Sequence, residues 1–474
     1  MSLMTQSLLM EAQSLRLEGD MDGSIAILRV VISNCNADKV AADAEHQITH
    51  QLWEMASYQL SLLLLQNCGR FSNQASEREA DNILMKLGYR LRLSTKAFGY
   101  PACECAFDKS SCNLKTNEAK LPLLMIDDIL PHPFFNALRH SLRPDSRYWT
   151  DFYSKTNEVE EGGKRRQSFA SHNVSLPNST ELTYAKCIEK ASSLIEQVAI
   201  IVKHCLTQKF PSILAATSAE VWSHRRPPDA QHQLHYDMDE IRLHICKQRH
   251  NDECNTAARG NKRQKVGNLS EELTTTDLCP IISCVLTVNV PNQTKTCDRC
   301  GMVGDGAPTL VCNQSLLGRT SNEGWLCYPR LNRLVAFDGS LLHAVVPGIP
   351  SEVLGEDEDD YSRVTLMIGF WKDVTLSIPD KTSQCLTIGP NVPFPSSLLA
   401  EFKPIAVDEN TVTKHMHAAI KHVVDPNLVR PLWTEIDQAG DCNEAATISE
   451  KDSSGRFFLR STDPTEIDKK VLGF

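Results

Sequence analysis

Apolar positions recur every three or four residues along the first part of the chain. Leu8, Leu9, Ala12 and Leu15 keep that spacing, as do Ile25, Leu28, Val31 and Ile32. Met55, Ala56, Leu60, Leu63 and Leu64 form a third stripe, and Ala80, Ile83, Leu84 and Leu87 a fourth. Such spacing lines one face of a helix. Residues 1–97 therefore read as an all-helical unit, with Gly19-Asp20 and Gly69-Arg70 as breaks. Residues 98–119 interrupt the pattern as a polar linker containing Cys103, Cys105 and Cys112.

Beyond the linker the period changes. Leu121 to Pro131 is a short apolar run that reads as a buried strand closed by proline, and Phe134 to Leu142 as a short helix. Residues 181–206 predict one long helix, with Ala185, Ile188, Ile195, Val198, Ala199, Val202 and Leu206 on one face and Ser179 or Thr180 as its cap. From Val221 to Trp371 the chain reads as strands. The clearest are Ile281–Val290, Pro308–Cys312, Arg333–Phe337 and Arg363–Trp371, the last ending in a tryptophan expected in the core. Two polar insertions, 247–278 and 350–362, interrupt the strands, the second a solvated acidic loop. Residues 376–474 form an extension without an assigned role, with Pro390–Pro395 extended and a helix near 410–423. The fold class predicted is α+β.

Composition narrows the function. A chain of 474 residues with 41% hydrophobic and 23% charged content is ordinary for a globular protein of more than one domain. A formal net charge of −10 disfavours nucleic acid as a partner, since duplex affinity comes largely from Lys and Arg on phosphates. The N-terminus lacks the basic start of a signal peptide, and no apolar run is long enough to span a membrane. The 17 cysteines, an odd number, then read as reduced thiols in an intracellular protein, cytoplasmic or nuclear. Asn261–Lys265 is a short basic stretch that reads as a nuclear localisation signal or as a solvated loop.

The candidate chemistry lies in the strand-rich region. His235 and Asp237 are two apart, so on a strand they share a face. His343 follows in the segment Gly339–Gly348 as the candidate third ligand. Two imidazoles and one carboxylate on one face of a metal point to non-heme Fe(II) oxygenases. Asp239 is a rival to Asp237, set one step further along the same face. The next cation after His343 is Arg363, with Thr365 two positions on, a guanidinium and hydroxyl that suit a carboxylate. A salt bridge from Arg363 to the preceding acidic loop is the structural alternative. His224, Arg225 and Arg226 precede the ligand strand and either add positive potential or keep a strand edge soluble. Cys297 and Cys300 form a single C-x-x-C. Cys312, Cys327 or the His244, Cys246, His250, Cys254 group would have to complete a zinc site, and reduced thiols at a turn are the simpler reading.

Three segments in order carry a resemblance: Leu234–Glu240, Asn332–Val345 and Arg363–Thr365. With Glu220–Arg226 and Leu123–Leu130 upstream, they resemble the 2-oxoglutarate- and Fe(II)-dependent oxygenases of the prolyl-4-hydroxylase-like branch, over about residues 120–375. The resemblance implies a double-stranded β-helix, or jelly-roll, with flanking helices. It implies His235, Asp237 and His343 as iron ligands, with Arg363 and Thr365 holding 2-oxoglutarate. It implies O2 as co-substrate and ascorbate as a further candidate cofactor. The expected reaction is hydroxylation of a C–H bond on a protein or peptide side chain, yielding succinate and CO2. A small-molecule hydroxylase, or a cupin-like metal-binding or adaptor protein with an inactive barrel, is the alternative. The N-terminal helices resemble tetratricopeptide hairpins in their order of small residue, Leu and Gly. The step of 44 residues from Ala12 to Ala56 exceeds the repeat length of about 34, and a plain bundle suits the pattern equally.

Overall fold

The computed structural model describes residues 2–17, 20–37, 44–71, 73–98, 122–153, 169–177, 184–226, 231–239, 242–243, 278–290, 296–297, 301–302, 307–316, 318, 321–348, 362–373, 391–393, 396–406, 409–419, 421–436, 457–462 and 464–465. Four helices open the chain: α1 (Ser2–Leu17), α2 (Met21–Ala37), α3 (Ala44–Phe71) and α4 (Gln74–Lys86). The side chain of Asn73 caps α4, accepting from the backbone N–H groups of Ala75 and Ser76. Strand β1 (Leu91–Leu93) and a single helical turn, α5 (Thr95–Phe98), close this segment.

The central region supplies β2 (Leu123–Ile126), α6 (His132–Ser141), β3 (Phe169–Ser175), α7 (Tyr184–Lys190), α8 (Leu194–Leu206), β4 (Ser218–Arg226), β5 (His232–His235) and β6 (Ile282–Asn289). A small hairpin, β7 (Thr296–Cys297) and β8 (Gly301–Met302), precedes β9 (Thr309–Ser315), β10 (Gly324–Cys327), β11 (Leu334–Asp338), β12 (Leu341–Val345) and β13 (Arg363–Trp371). The C-terminal part adds β14 (Asn391–Pro393), α9 (Ser396–Leu399), α10 (Glu409–Ala419), β15 (Val423–Val424), β16 (Asn427–Val429), β17 (Trp433–Glu435) and β18 (Phe458–Leu459).

One helical expectation is corrected. Where one helix was expected over 181–206, the described residues hold two, Tyr184–Lys190 and Leu194–Leu206, with a break that includes Ser192-Ser193. Ser193 Oγ accepts from the Glu196 N–H at 3.2 Å, while the Glu196 carboxylate accepts from the Ser192 N–H at 2.7 Å. Ser193 thus caps α8, and the Glu196 carboxylate holds the residue before the cap, a pattern written in the sequence as Ser-x-x-Glu that starts the helix there. Ser179 and Thr180 lie outside the described residues.

Two main sheets face each other. The larger has the order β14-β3-β4-β13-β6-β11-β2-β15 and the smaller β16-β10-β9-β12-β5. Side chains alternate across each strand, so β13 sends Val364, Leu366, Ile368 and Phe370 outward into a core shared with α6, α7, α8 and α10. The inner faces meet through Met125, Val285, Val335 and Phe337 from the larger sheet and Val311, Trp325 and Leu341 from the smaller. The outer face of the smaller sheet (Leu234, Leu310, Leu342, Ala344) packs in one apolar cluster with Leu60, Leu63 and Leu64 of α3. Gln66 on α3 donates to the Pro347 carbonyl at 2.8 Å, just past β12. The C-terminal strands then cover sheet edges: β15 pairs with β2, β16 with β10, and β17 and β18 flank β1. Covering an edge removes a row of unpaired backbone groups.

A buried ion pair pins the corner between β2 and β11. Asp127 accepts from Arg333 Nε at 2.5 Å and Nη2 at 3.1 Å, and also from Arg330 at 2.9 Å. The Arg333 side chain is 2% exposed. Asp127→Ala leaves that guanidinium buried without its carboxylate, which costs about 3–5 kcal/mol. The expected outcome is a lower urea midpoint at unchanged slope, measured by tryptophan fluorescence.

Candidate active site

β5 and β12 are antiparallel neighbours, and their register sets His343 directly opposite His235. Gly339 starts the turn into β12, where a Cβ would lie 2.1 Å from the Pro280 carbonyl oxygen, so the turn requires glycine. The His235 and His343 rings are 4.2 Å apart between centroids. Asp237 follows β5 by two residues and swings its carboxylate between them. Its Oδ1 lies 3.9 Å from His235 Nε2 and 3.6 Å from His343 Nε2.

Each of the three side chains is held by its outer atom. His235 Nδ1 donates to the Gln233 carbonyl at 2.9 Å and His343 Nδ1 to the Leu341 carbonyl at 3.0 Å, which fixes both rings with the Nε2 lone pair inward. Ser283 Oγ donates to Asp237 Oδ2 at 2.7 Å, leaving Oδ1 to face the imidazoles. His343 Nε2 is buried and has no hydrogen-bond partner. An orphaned nitrogen of this kind is costly unless it has a ligand to meet. One atom from each of the three residues lies within 4.8 Å of the others, the arrangement of a metal site. Imidazole and carboxylate donors suit iron.

Charges inside the site are coupled. Burial opposes ionisation of Asp237, but the charges of His343 and His235 and the hydrogen bond from Ser283 outweigh it and hold the carboxyl below its ordinary range. Burial likewise opposes charging of His343, and the Asp237 carboxylate overcomes it and raises this imidazole's pKa. His235 goes the other way, to about 4, through burial and the neighbouring His343 charge.

The cavity around these residues has a volume of about 600 Å³ including its mouth. Its opposite wall comes from β4, β13 and β6. Arg363, Thr365 and Met367 alternate inward on β13, in register with Arg226, His224 and Trp222 on β4. Arg363 is 6% exposed. Its guanidinium donates to the Ala307 carbonyl, and to Thr309 Oγ1 at 3.2 Å. Trp222 Nε1 donates to His224 Nε2 at 3.2 Å. Burial and the Arg226 charge push His224 down to about 3.

All five site residues expected from the sequence, His235, Asp237, His343, Arg363 and Thr365, line this one cavity. Of the His224, Arg225, Arg226 group, the first and last line it. Arg225 points away, to Ser362 and the Pro144 carbonyl. Asp239 does not converge with the others. Its Oδ1 accepts from the Arg242 N–H at 2.8 Å and its Oδ2 lies 3.7 Å from the Arg242 guanidinium, so it holds the turn after the site. Cys312 and Cys327 are buried free thiols. Cys300, the His244–Cys254 group, Cys103, Cys105, Cys112 and Asn261–Lys265 lie outside the described residues. Two supports escaped the sequence reading, Ser283 and Thr309. Ser283, Thr287 and Asn289 alternate as polar residues on a fully buried strand, a signal that one face of β6 meets something polar.

No protein-family model matches the chain, and no curated protein matches it. Several solved structures are similar to part of it. A prolyl-4-hydroxylase from Pseudomonas putida is 13% identical, with 53% of this chain and 86% of that one covered and a TM-score of 0.25. HygX from Streptomyces hygroscopicus, with nickel and 2-oxoglutarate bound, is 10% identical over 54% and 84%, at 0.23. The non-heme alpha-ketoglutarate-dependent carbocyclase SnoK from nogalamycin biosynthesis is 11% identical over 57% and 86%, at 0.25.

Two outcomes test the site through metal affinity, read by Ni(II) competition with a chelating dye. Asp237→Ala is expected to weaken binding at least about 100-fold, and Ser283→Ala, which removes an outer support, about 10-fold. Asp239→Asn is expected to change it by less than the Ser283 variant does. Affinity is also expected to fall as pH drops through the raised pKa of His343. Nδ1 is already protonated, so the added proton takes the ligand lone pair on Nε2, at about tenfold per pH unit for one displaced proton. His235, with its pKa near 4, stays neutral through that range. A flat profile between pH 6 and 8 contradicts the assignment.

Proposed function

We propose that the protein is an Fe(II)- and 2-oxoglutarate-dependent dioxygenase that hydroxylates a C–H bond on a protein or peptide side chain. One observation carries the reading: a single cavity has the His235, Asp237, His343 cluster at one end and the buried Arg363 guanidinium at the other. A linear dicarboxylate with a 2-oxo group is the ligand that such a pair of ends suits. The double-stranded β-helix, with iron at one mouth, is the architecture we infer for the two facing sheets. We read residues 1–97 as a mainly helical unit, packed on the smaller sheet, that presents a peptide, residues 120–375 as the oxygenase domain and the C-terminal extension as its support.

In this reading His235, Asp237 and His343 hold Fe(II), each fixed from behind by Gln233, Ser283 or Leu341. Arg363 and the Thr365 hydroxyl hold the far carboxylate of 2-oxoglutarate. Thr309 and the Ala307 carbonyl aim the guanidinium, so little ordering entropy remains to be lost on binding. Trp222, Val285 and Met367 add apolar surface to the same cavity. Bound there, the iron and co-substrate supply the oxidation: R–H, 2-oxoglutarate and O2 become R–OH, succinate and CO2.

The test is turnover of 2-oxoglutarate to succinate by protein purified without oxygen and given Fe(II). His235→Ala is expected to abolish it. Arg363→Gln is expected to raise the KM for 2-oxoglutarate about 30-fold or more, the roughly 2 kcal/mol or more that a buried charge contact is worth. Absence of both turnover and 2-oxoglutarate binding in the metal-loaded wild type would refute the reading, and retained turnover in His235→Ala would refute the ligand set.

A further inference from the structure

The Arg363 guanidinium is aimed by one corner of the smaller sheet, and the N-terminal helical unit holds that corner from outside. Three consecutive residues make it. The Ala307 carbonyl accepts from Arg363, the Pro308 carbonyl accepts from the Val346 N–H at 3.0 Å, and Thr309 Oγ1 accepts from Arg363 at 3.2 Å. All three residues are buried. Val345 stands opposite Thr309, and one residue on, Val346 donates to Pro308. The return bond cannot form, because proline has no N–H. Pro347, the next residue of the other strand, has none either. The two prolines thus end the pairing of β9 with β12 at this corner.

A side chain from far away in the chain takes over there. Gln66 Nε2, on α3, donates to the Pro347 carbonyl at 2.8 Å. Gln66 and Pro347 are both buried, and a buried carbonyl is costly to leave without a donor. Val346, 0% exposed, packs in the same apolar cluster as Leu60, Leu63 and Leu64 of α3. Apolar burial is non-directional, whereas a hydrogen bond constrains both distance and angle. The amide of Gln66 is therefore the contact that fixes where the corner lies against the helix. The metal cluster depends on it less. His343 lies inside the ladder, with His235 opposite on one side and Val311 on the other.

We propose that Gln66 is a positioning residue for the co-substrate end of the cavity. It holds the 307–309 corner, and the corner holds Arg363 in the direction of the far carboxylate. The N-terminal helical unit is then a working part of the active site as well as a platform for a peptide. This role rests on Arg363 binding 2-oxoglutarate, as proposed above.

The whole chain loaded with Ni(II) tests it without turnover, by titration with 2-oxoglutarate and, separately, by metal affinity. Gln66→Met keeps the length of the side chain and removes the donor. It is expected to weaken 2-oxoglutarate binding about threefold to tenfold and Ni(II) binding less than about twofold, the scale on which a residue that touches neither ligand acts through its neighbours. Leu63→Val removes apolar volume from the same cluster and no hydrogen bond. It is expected to lower the urea midpoint while leaving both affinities within about twofold, measured where far-UV circular dichroism shows each variant folded. Gln66→Asn, which keeps the amide one methylene short of Pro347, is expected to lose 2-oxoglutarate affinity in the same direction and serves if Gln66→Met does not fold. Unchanged 2-oxoglutarate affinity in the folded Gln66 variant, an equal loss in Leu63→Val, or a parallel loss of Ni(II) affinity overturns the role. A wild type that binds Ni(II) but no 2-oxoglutarate overturns the co-substrate reading and this role with it, and is seen before any variant is compared.

Discussion

The pairing of β12 against β5 is the constraint on which the site depends. His343 stands opposite His235 only in the observed register. A slip of one residue would turn His343 to the outer face, where Leu342 and Ala344 now pack in the apolar cluster shared with α3. The outer face therefore fixes the inner one: burial of those aliphatic groups selects the register that brings the imidazoles together. β12 also departs from regular pairing with β9 between Leu341 and His343. Irregularities of this kind re-aim side chains near functional sites, and here the Leu341 carbonyl meets His343 Nδ1.

The same logic of outer support governs the charges. Each inward donor is held by a neighbour that does not itself face the cavity: Gln233, Leu341 and Ser283 for the metal cluster, Ala307 for Arg363. Buried polar atoms are tolerated when they are satisfied or when they meet a ligand. Asp237 and His343 stabilise each other's charged forms. A cation held by this cluster would compete with a proton on the pair.

Much of this was legible along the chain. The His235–Asp237 spacing, the late His343 and the Arg363–Thr365 pair are local patterns, and strands alternate strictly enough to predict which residues share a face. Strand β13 matches the apolar run Arg363–Trp371 residue for residue. The choice of Asp237 over Asp239 was harder, because both lie on the same face by spacing alone. In the structure Arg242 draws Asp239 into the following turn through its backbone N–H and guanidinium. Ser283 and Thr309 act across sheets, 46 and 54 residues from the side chains they hold, and such contacts leave no mark in a local pattern. The break between α7 and α8 was readable as Ser-x-x-Glu but was overridden by a continuous apolar stripe.

Exposure grades the site from floor to mouth. The His343 side chain is 3% exposed, Asp237 10% and His235 28%. Electrostatic contacts strengthen as water is excluded, so fixed donors act most strongly at the most buried side chains, His343 and Arg363. Strands β4 and β5 follow one another in chain order on different sheets, carrying Trp222, His224 and Arg226 on one and His232 and His235 on the other. Consecutive strands thus supply two facing walls of the same cavity, and the register of each with its neighbour decides which side chains meet there.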